Sequence, residues 1–484
     1  MSDNLQQKTF SGRVWTFARQ FSLQGFGFVQ GIILARLLVP KDYGLIAMTQ
    51  IFFTISACFI DSGFSTALMR KKERTALDYS TVYVTNVCLT FVFALILCLA
   101  SPWIAAFYHE PILKDIVIAN AILLVLNSFT AVQGTRLSIN LQFKTASIIS
   151  VVSTVIVGVT TIILAYMGFG VWSLVYPNFL QPFIKGIMYY HFQRWFPGIQ
   201  FSWKTWREFF AFGSKLLASA LLNTLYENIT PLVIGKKYSA SDLGFYSRAR
   251  GYAMLPATTF QGMLSAVTFP VLCSIQDDDE RLRDAYRRLI RASAFVVFPI
   301  LVGLAALARP FITVLITDKW AESIPYLEIV CFSVMWYPVH VLNLNLLQVK
   351  GRSDLFLRLE IVKKITGLTI LMITVPISIY AMCVGQIFSS IISLIINTYY
   401  TGKLIQVGFF KQMRDLLPTL CYAFSMGLVV KFVTMFVNSD SLQLGLGIVV
   451  GMMYYISIAK LTRSGDLSYV VTLLNENVLK RFKK

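Results

Sequence analysis

Thr230–Pro256 reads TPLVIGKKYSASDLGFYSRARGYAMLP: the end of an apolar helix, a short polar turn, then a second apolar helix carrying Arg248 and Arg250. The stretch has an echo about 200 positions earlier, where GIILARLLVPKDYGLIAM places Arg36 on Lys236, Asp42 on Asp242 and Gly44 on Gly244 without a gap. Self-similarity of this kind makes the chain two copies of one unit. In membrane proteins such halves face each other across a pathway, bind at their interface and rock against one another.

Composition supports the membrane setting. With 484 residues, 56% of them hydrophobic and 14% charged, the chain has too little polar surface to cover a soluble globule. Apolar runs recur at the length of about 20 residues that crosses the hydrocarbon core. Backbone in lipid must satisfy its own hydrogen bonds, and the in-out alternation of barrel strands is missing, so the fold class is an all-α membrane protein. The net charge of +19 does not indicate nucleic acid, because the Lys and Arg residues lie between apolar spans instead of on one soluble domain. The seven cysteines show no CxxC pair and no metal-ligand spacing. The polar opening MSDNLQQKTFSG leads into a run too long for a cleaved signal peptide, so nothing is expected to be removed there.

In chain order, spans are expected at about Arg13–Leu38, Tyr43–Met69, Tyr79–Phe107, Ile112–Phe143, Ala146–Met167 and Val171–His191. Gly168-Phe169-Gly170 forms a tight turn before the sixth. A polar segment, Arg194–Arg207, then places Trp195, Trp203 and Trp206 at headgroup depth. The second half repeats the count at about Glu208–Gly235, Leu243–Ile275, Tyr286–Ala308, Ile324–Val349, Phe356–Ile377 and Tyr380–Leu404. Leu416–Val437 and Leu442–Leu461 have no counterpart, which makes about fourteen transmembrane helices. The expected division is therefore 1–205 and 206–412 as six-helix lobes, with 413–484 holding the appended pair and a basic tail, Lys480–Lys484. Loops carrying Arg70–Arg74, Lys144, Arg194, Lys350 and Lys403 mark the cytoplasmic side, and both termini fall on it. The charges of QDDDERLRDAYRRLIR, residues 276–291, read as a solvated face leading into a span.

Ionisable groups inside apolar spans cost about 2.5–3.5 kcal/mol each, so they mark a water-filled path. On the first span Arg19 and Gln30 are eleven residues apart and share a face, with Gln24 on the adjoining stripe. On the seventh, Asn223 and Glu227 stand one turn apart. Arg19 enters roughly 9 Å from one membrane end and Arg248 roughly 9 Å from the other, placing cations in both leaflets. Arg248 and Arg250, two residues apart, cannot both face the same way. Arg136 is a further intramembrane cation. Asp61 is equally placed to pair with Arg19 or Arg136 or to act in transport; with Glu227 it is a candidate for ion coupling. Lys185, Lys215 and Lys431 lie close enough to helix ends to snorkel. Lys363 and Lys364 follow Glu360 and can form a local pair, and His340 reads as a packed side chain. No GxxxxGK[ST] loop is present, no cofactor or metal site is indicated, and the outer loops are too short to hold an active site.

The runs LGFYSRARGYAMLP and FPVLCSIQDDDERLRDAYRRL, with LARLLVPKDYGLIAM and FIDSGFSTALMRKK, resemble the polysaccharide-transport branch of the multidrug/oligosaccharidyl-lipid/polysaccharide exporter superfamily, the Wzx-like flippases. The similarity spans about Thr9 to Leu404 and also the extra pair. It implies two six-helix lobes in a V around a cationic central cavity. It also implies that an undecaprenyl diphosphate-linked oligosaccharide moves from the cytoplasmic to the periplasmic leaflet of a bacterial inner membrane. Lumenal arginines of related flippases engage the diphosphate, which makes Arg19, Arg248 and Arg250 the best-placed candidates here. Membrane lipids, H⁺ or Na⁺, and glycan polymerase or assembly proteins are the partners so implied. The alternatives are a cation-coupled multidrug extruder of the same superfamily, which would want an anionic binding lobe, and a membrane glycan polymerase or ligase, which would need a substantial outer loop.

Overall fold

The computed structural model describes residues 2–61 and 63–474, and every regular element among them is helical. The basic tail Lys480–Lys484 lies outside the described residues. By its internal contacts the chain divides into two compact units, Met1–Gly244 and Phe245–Lys484.

The first unit holds α1 (Ser2–Leu37), α2 (Pro40–Asp61), α3 (Phe64–Arg70), α4 (Ala76–Tyr108), α5 (Leu113–Ile139), α6 (Phe143–Tyr166), α7 (Leu180–Gln193), α8 (Trp203–Lys237) and the start of α9 (Ala240–Ser274). The helix starts follow capping rules. Thr75 and Asp78 form a reciprocal capping box at α4, and Ser202 accepts from the Thr205 amide at α8. α4 pairs with α5, α1 with α6, and α2 packs on both α4 and α8. At one end Phe64, Leu68, Val82, Val132 and Phe209 form a buried cluster against Trp195 and Trp206.

Three expected spans are broken, the tenth into the helices Ser323–Val334 and Tyr337–Val349. The second is interrupted at Gly63, whose φ of +70° is a left-handed conformation that favours glycine. The sixth, expected as one helix from Val171, instead runs through two 3₁₀ turns, Gly170–Leu174 and Tyr176–Phe179, before α7 begins. Pro177 and Pro182 explain it, because each removes an amide donor and crowds the preceding turn. The turn at Gly168 and Gly170 does form, with φ of +84° and +53°.

The internal echo survives in atomic detail. The Val39 amide donates to Asp42 Oδ2 at 3.1 Å, and the Ser239 amide donates to Asp242 Oδ2 at 3.0 Å. The two helix starts also meet reciprocally. A Cβ on Gly44 would stand 1.6 Å from the Ala240 carbonyl oxygen, and one on Gly244 would stand 2.0 Å from that of Pro40. Backbone touches backbone there, which only glycine permits.

The second unit holds the rest of α9 with α10 (Asp279–Ala306), α11 (Ala308–Ile316), α12 (Ser323–Val334), α13 (Tyr337–Val349), α14 (Ser353–Thr374), α15 (Ile379–Ile405), α16 (Phe409–Thr434), α17 (Asp440–Leu461) and α18 (Gly465–Leu474). α10 packs on α12, α13, α16 and α18, and α15 on α12, α13 and α14. The charged start of α10 is not simply a solvated face. Arg287 grips Asp415 with two bonds of 2.6 Å, Arg291 reaches Asp466 at 3.3 Å, and Arg283 donates to the Ile405 carbonyl at 2.9 Å. These charges fasten α16 and α18, C-terminal to the repeat, onto α10. A buried amide pair adds to this: Asn343 and Gln412 exchange hydrogen bonds of 3.1 and 3.0 Å, and Thr401 donates to the same Asn343 oxygen at 2.7 Å.

A helix, or a broken pair, stands at each expected span. Among the described residues nine helices are long and apolar enough to cross a membrane, and the chain is a multi-pass membrane protein. The expected spans outside those nine lie on α1, α7, α8, α9 and α14. α7 is shortened by its break, and α14 carries Arg358, Glu360, Lys363 and Lys364. α1 and α8 are the polar-striped helices, and α9 carries Arg248 and Arg250.

Candidate functional site

On α8, Thr224 is buried and its hydroxyl lies 3.2 Å from Cys58 Sγ of α2. That contact sets the rotation of the helix and turns Asn223 and Glu227, one turn apart, onto an exposed face. Asp61 is likewise exposed, at the end of α2. Among the described residues it makes no ion pair with Arg19 or Arg136, so neither structural pairing forms. A carboxylate left open at membrane depth requires water, which agrees with a hydrated path along these faces.

The candidate cations separate into different surroundings. Arg19 is half-buried on α1 and within electrostatic reach of Tyr189 on α7. Arg136 stacks its guanidinium 4.2 Å from the centroid of Trp195 while its Nη1 is buried without a hydrogen bond. Its surroundings are the aromatic cluster beside α8, where Trp195 also meets Tyr79 at 5.5 Å and Trp203 stacks on Trp206 at 4.9 Å. In the second unit Arg248 lies 5.6 Å from the Tyr252 ring and 5.7 Å from that of Trp320. Arg250 instead points to the Tyr246 hydroxyl, which also accepts from Gln386 Nε2 at 2.8 Å. The two arginines do face apart, as their spacing requires.

Two further intramembrane groups, Lys363 and His340, take local partners. Lys363 pairs with Glu360 at i,i+3, and His340 is packed, with Nε2 3.0 Å from Ser390 Oγ and Nδ1 3.3 Å from Asn397 Nδ2. Gln24 is half-buried on the same helix as Gln30. Gln30 lines a cavity of about 270 Å³ inside the first unit together with Thr154, Thr161, Asn178 and Gln181. Residue spacing singled out Gln30 but missed the other four. The signal that could have found Asn178 and Gln181 is the Gly- and Pro-interrupted run Gly168–Pro182, since broken apolar segments mark binding regions in transporters; Thr154 and Thr161, on the continuous helix α6, carry no such mark.

Comparison with known proteins agrees with this architecture. Residues 33–325, more than half of the chain, match a family described as polysaccharide biosynthesis protein. The chain is 24% identical over 481 residues to the teichuronic acid biosynthesis protein TuaB of Bacillus subtilis (strain 168), covering 96% of this chain and 100% of that one. It is 24% identical over 440 residues to the lipopolysaccharide biosynthesis protein WzxC of Escherichia coli (strain K12), covering 88% and 89%. Among solved structures, the lipid II flippase MurJ in an inward closed conformation aligns with a TM-score of 0.76 at 14% identity, over 92% of this chain and 98% of that one. An inward-facing multidrug resistance MATE transporter aligns at 0.61 with 16% identity, over 80% and 96%. At these identities the structural likeness establishes the fold.

Proposed function

We propose, from the premise that the chain belongs to the polysaccharide biosynthesis protein family, that it is a flippase for an undecaprenyl diphosphate-linked oligosaccharide. It would work by alternating access between lobes at 1–205 and 206–412, in a bacterial inner membrane, with both termini cytoplasmic and no bond made or broken. The observation that carries this reading is the placement of Arg19, Arg248 and Arg250 on α1 and α9, two of the helices too polar to pass as ordinary spans. A diphosphate cannot cross hydrocarbon uncompensated, whereas guanidinium pairs phosphate in two-pronged geometry and strongly where water is scarce. The biosynthetic roles in the names of TuaB and WzxC support the same substrate class. Asp61 and Glu227 are the acids through which H⁺ or Na⁺ would couple. Depletion followed by lipid analysis tests the assignment. Lipid-linked oligosaccharide held on the cytoplasmic leaflet is the expected result; unchanged glycan with new drug sensitivity would replace it with a multidrug extruder.

A further inference from the structure

The cavity beside Gln30 is built from α1, α6, the 3₁₀ turns and α7, all within Met1–Gly244. Its polar lining consists of amides and hydroxyls, Gln30, Thr154, Thr161, Asn178 and Gln181, with no ionisable group. Much of that hydrogen-bonding capacity is unused. The Thr161 hydroxyl donates back to the Val157 carbonyl at 2.8 Å and Asn178 Nδ2 to Leu174 at 2.7 Å, which leaves the Asn178 oxygen open. The side chains of Gln30, Thr154 and Gln181 make no hydrogen bond to another described residue, although their α6 neighbours Ser150, Ser153 and Thr160 all bond back to their helix.

Gly158 shapes the wall. A Cβ there would stand 2.3 Å from the Phe26 ring and 2.9 Å from Gln30 Oε1, so the bare backbone lets α1 bring both against α6. The opposite wall is the interrupted segment before α7, and irregular backbone at membrane depth is tolerated where it lines a cavity.

The chemistry of the lining selects a ligand. A diphosphate would find no cation here, and an ion of either sign would lie among neutral groups without compensation. A bare cation also needs a close cage of oxygens, whereas about 270 Å³ corresponds to the volume of about nine waters. Groups that both donate and accept, in a space just under the usual range of about 300–1,000 Å³ for small-molecule pockets, suit one neutral ring bearing several hydroxyls. We propose that this cavity is a subsite for one uncharged sugar ring of the transported glycan. The proposal rests on the flippase reading above and assigns to the first unit a glycan contact separate from the arginines that would hold the diphosphate.

The test uses the full chain in lipid nanodiscs and methyl glycosides of glucose, galactose, mannose and N-acetylglucosamine, followed by saturation-transfer NMR. At least one should bind. Gln181→Leu and Thr154→Val should each weaken it about tenfold, the loss of one or two net hydrogen bonds. Methyl glucuronide, whose carboxylate finds no partner in the cavity, should bind at least as much more weakly than the preferred neutral glycoside. Thr154→Val is nearly isosteric, so it serves even if Gln181→Leu fails to yield folded protein by size exclusion. No glycoside bound by the wild type, equal binding by the variants, or equal binding of methyl glucuronide would overturn the proposal. So would a Na⁺-dependent change in tryptophan fluorescence, measured against choline, that vanishes in both variants, since the cavity would then be a cation site. Undecaprenyl diphosphate without glycan is the separate probe for the flippase reading: it should bind wild type and both variants alike, and its failure to bind wild type would sink that reading whatever the glycosides do.

Discussion

A guanidinium near two aromatic rings is drawn to their faces, which is the position of Arg248 near Tyr252 and the fully buried Trp320. The internal repeat places Met48 at the matching position, so the scaffold itself does not demand a cation there. If the diphosphate does, Arg248→Ala inserts at normal levels and exports about ten- to a hundredfold less, the worth of one charge-assisted hydrogen bond. Arg248→Lys should be intermediate, because an ammonium retains the charge and loses the fork. Export per folded molecule that stays normal while folded yield drops would make Arg248 a packing residue and move the search to Arg250 and Arg19. The acids call for a different measurement. Asp61 and Glu227 are exposed at their helix faces, where an ion can reach either carboxylate. Either Asp61→Asn or Glu227→Gln should flatten the pH dependence of transport in proteoliposomes; normal transport by both across pH removes carboxylate coupling through them.

At the level of helices, the most constrained place is the reciprocal seam where α2 and α9 begin. A side chain at Gly44 or Gly244 would overlap a carbonyl oxygen of the other helix start, and rigid backbone cannot move aside as a flexible side chain can. Gly44→Val and Gly244→Val should each cost about 1–3 kcal/mol or more and lower the melting temperature in detergent. Gly445→Val on α17, where a Cβ meets nothing within 4 Å, is the matched control and should leave it unchanged. Equal melting of all three would show that the seam opens freely. The helices themselves were readable from sequence because apolar runs and loop charges are strong, local signals. Gly44 and Gly244 were visible as an echo, but their packing was not, since nothing in a linear repeat says that its two copies touch. The broken sixth span was missed for another reason: its apolar residues around Asn178, Gln181 and Lys185 still read as one run, and the backbone chemistry of Pro177 and Pro182 is what distinguishes it from a continuous helix.

For the molecule as a whole, orientation follows from where the cations lie. Arg70–Arg74, Lys144 and the Arg194–Arg207 segment lie on one set of connections, while the alternate set holds little beyond Lys41, Lys114, Lys236, Lys237 and Lys319. Some of these charges also have structural work. Lys41 pairs with Glu110 at 2.9 Å and Lys236 donates to the Phe107 carbonyl, so both anchor the α4–α5 turn. Arg283, Arg287 and Arg291 fasten C-terminal helices, a role that loop-charge counting cannot distinguish from topology. Local pairing occurs on both sides, since Lys71 also pairs with Asp78 at 2.8 Å and Lys350 with Asp279 at 2.6 Å, so the asymmetry rests on how many cations each set of connections carries. The positive side of a bacterial membrane protein stays in the cytoplasm. Reporter fusions at Glu73, between α3 and α4, and at Asp278, which caps α10, should therefore report cytoplasm. Fusions at Lys41, in the first turn of α2, and at Asn438, between α16 and α17, should report periplasm. Glu73 and Asp278 lie in different compact units, so they test the two halves independently. A periplasmic signal at Asp278 alone would mean an odd number of crossings between them, and α7, shortened by its two prolines, would be the first helix removed from the list of spans.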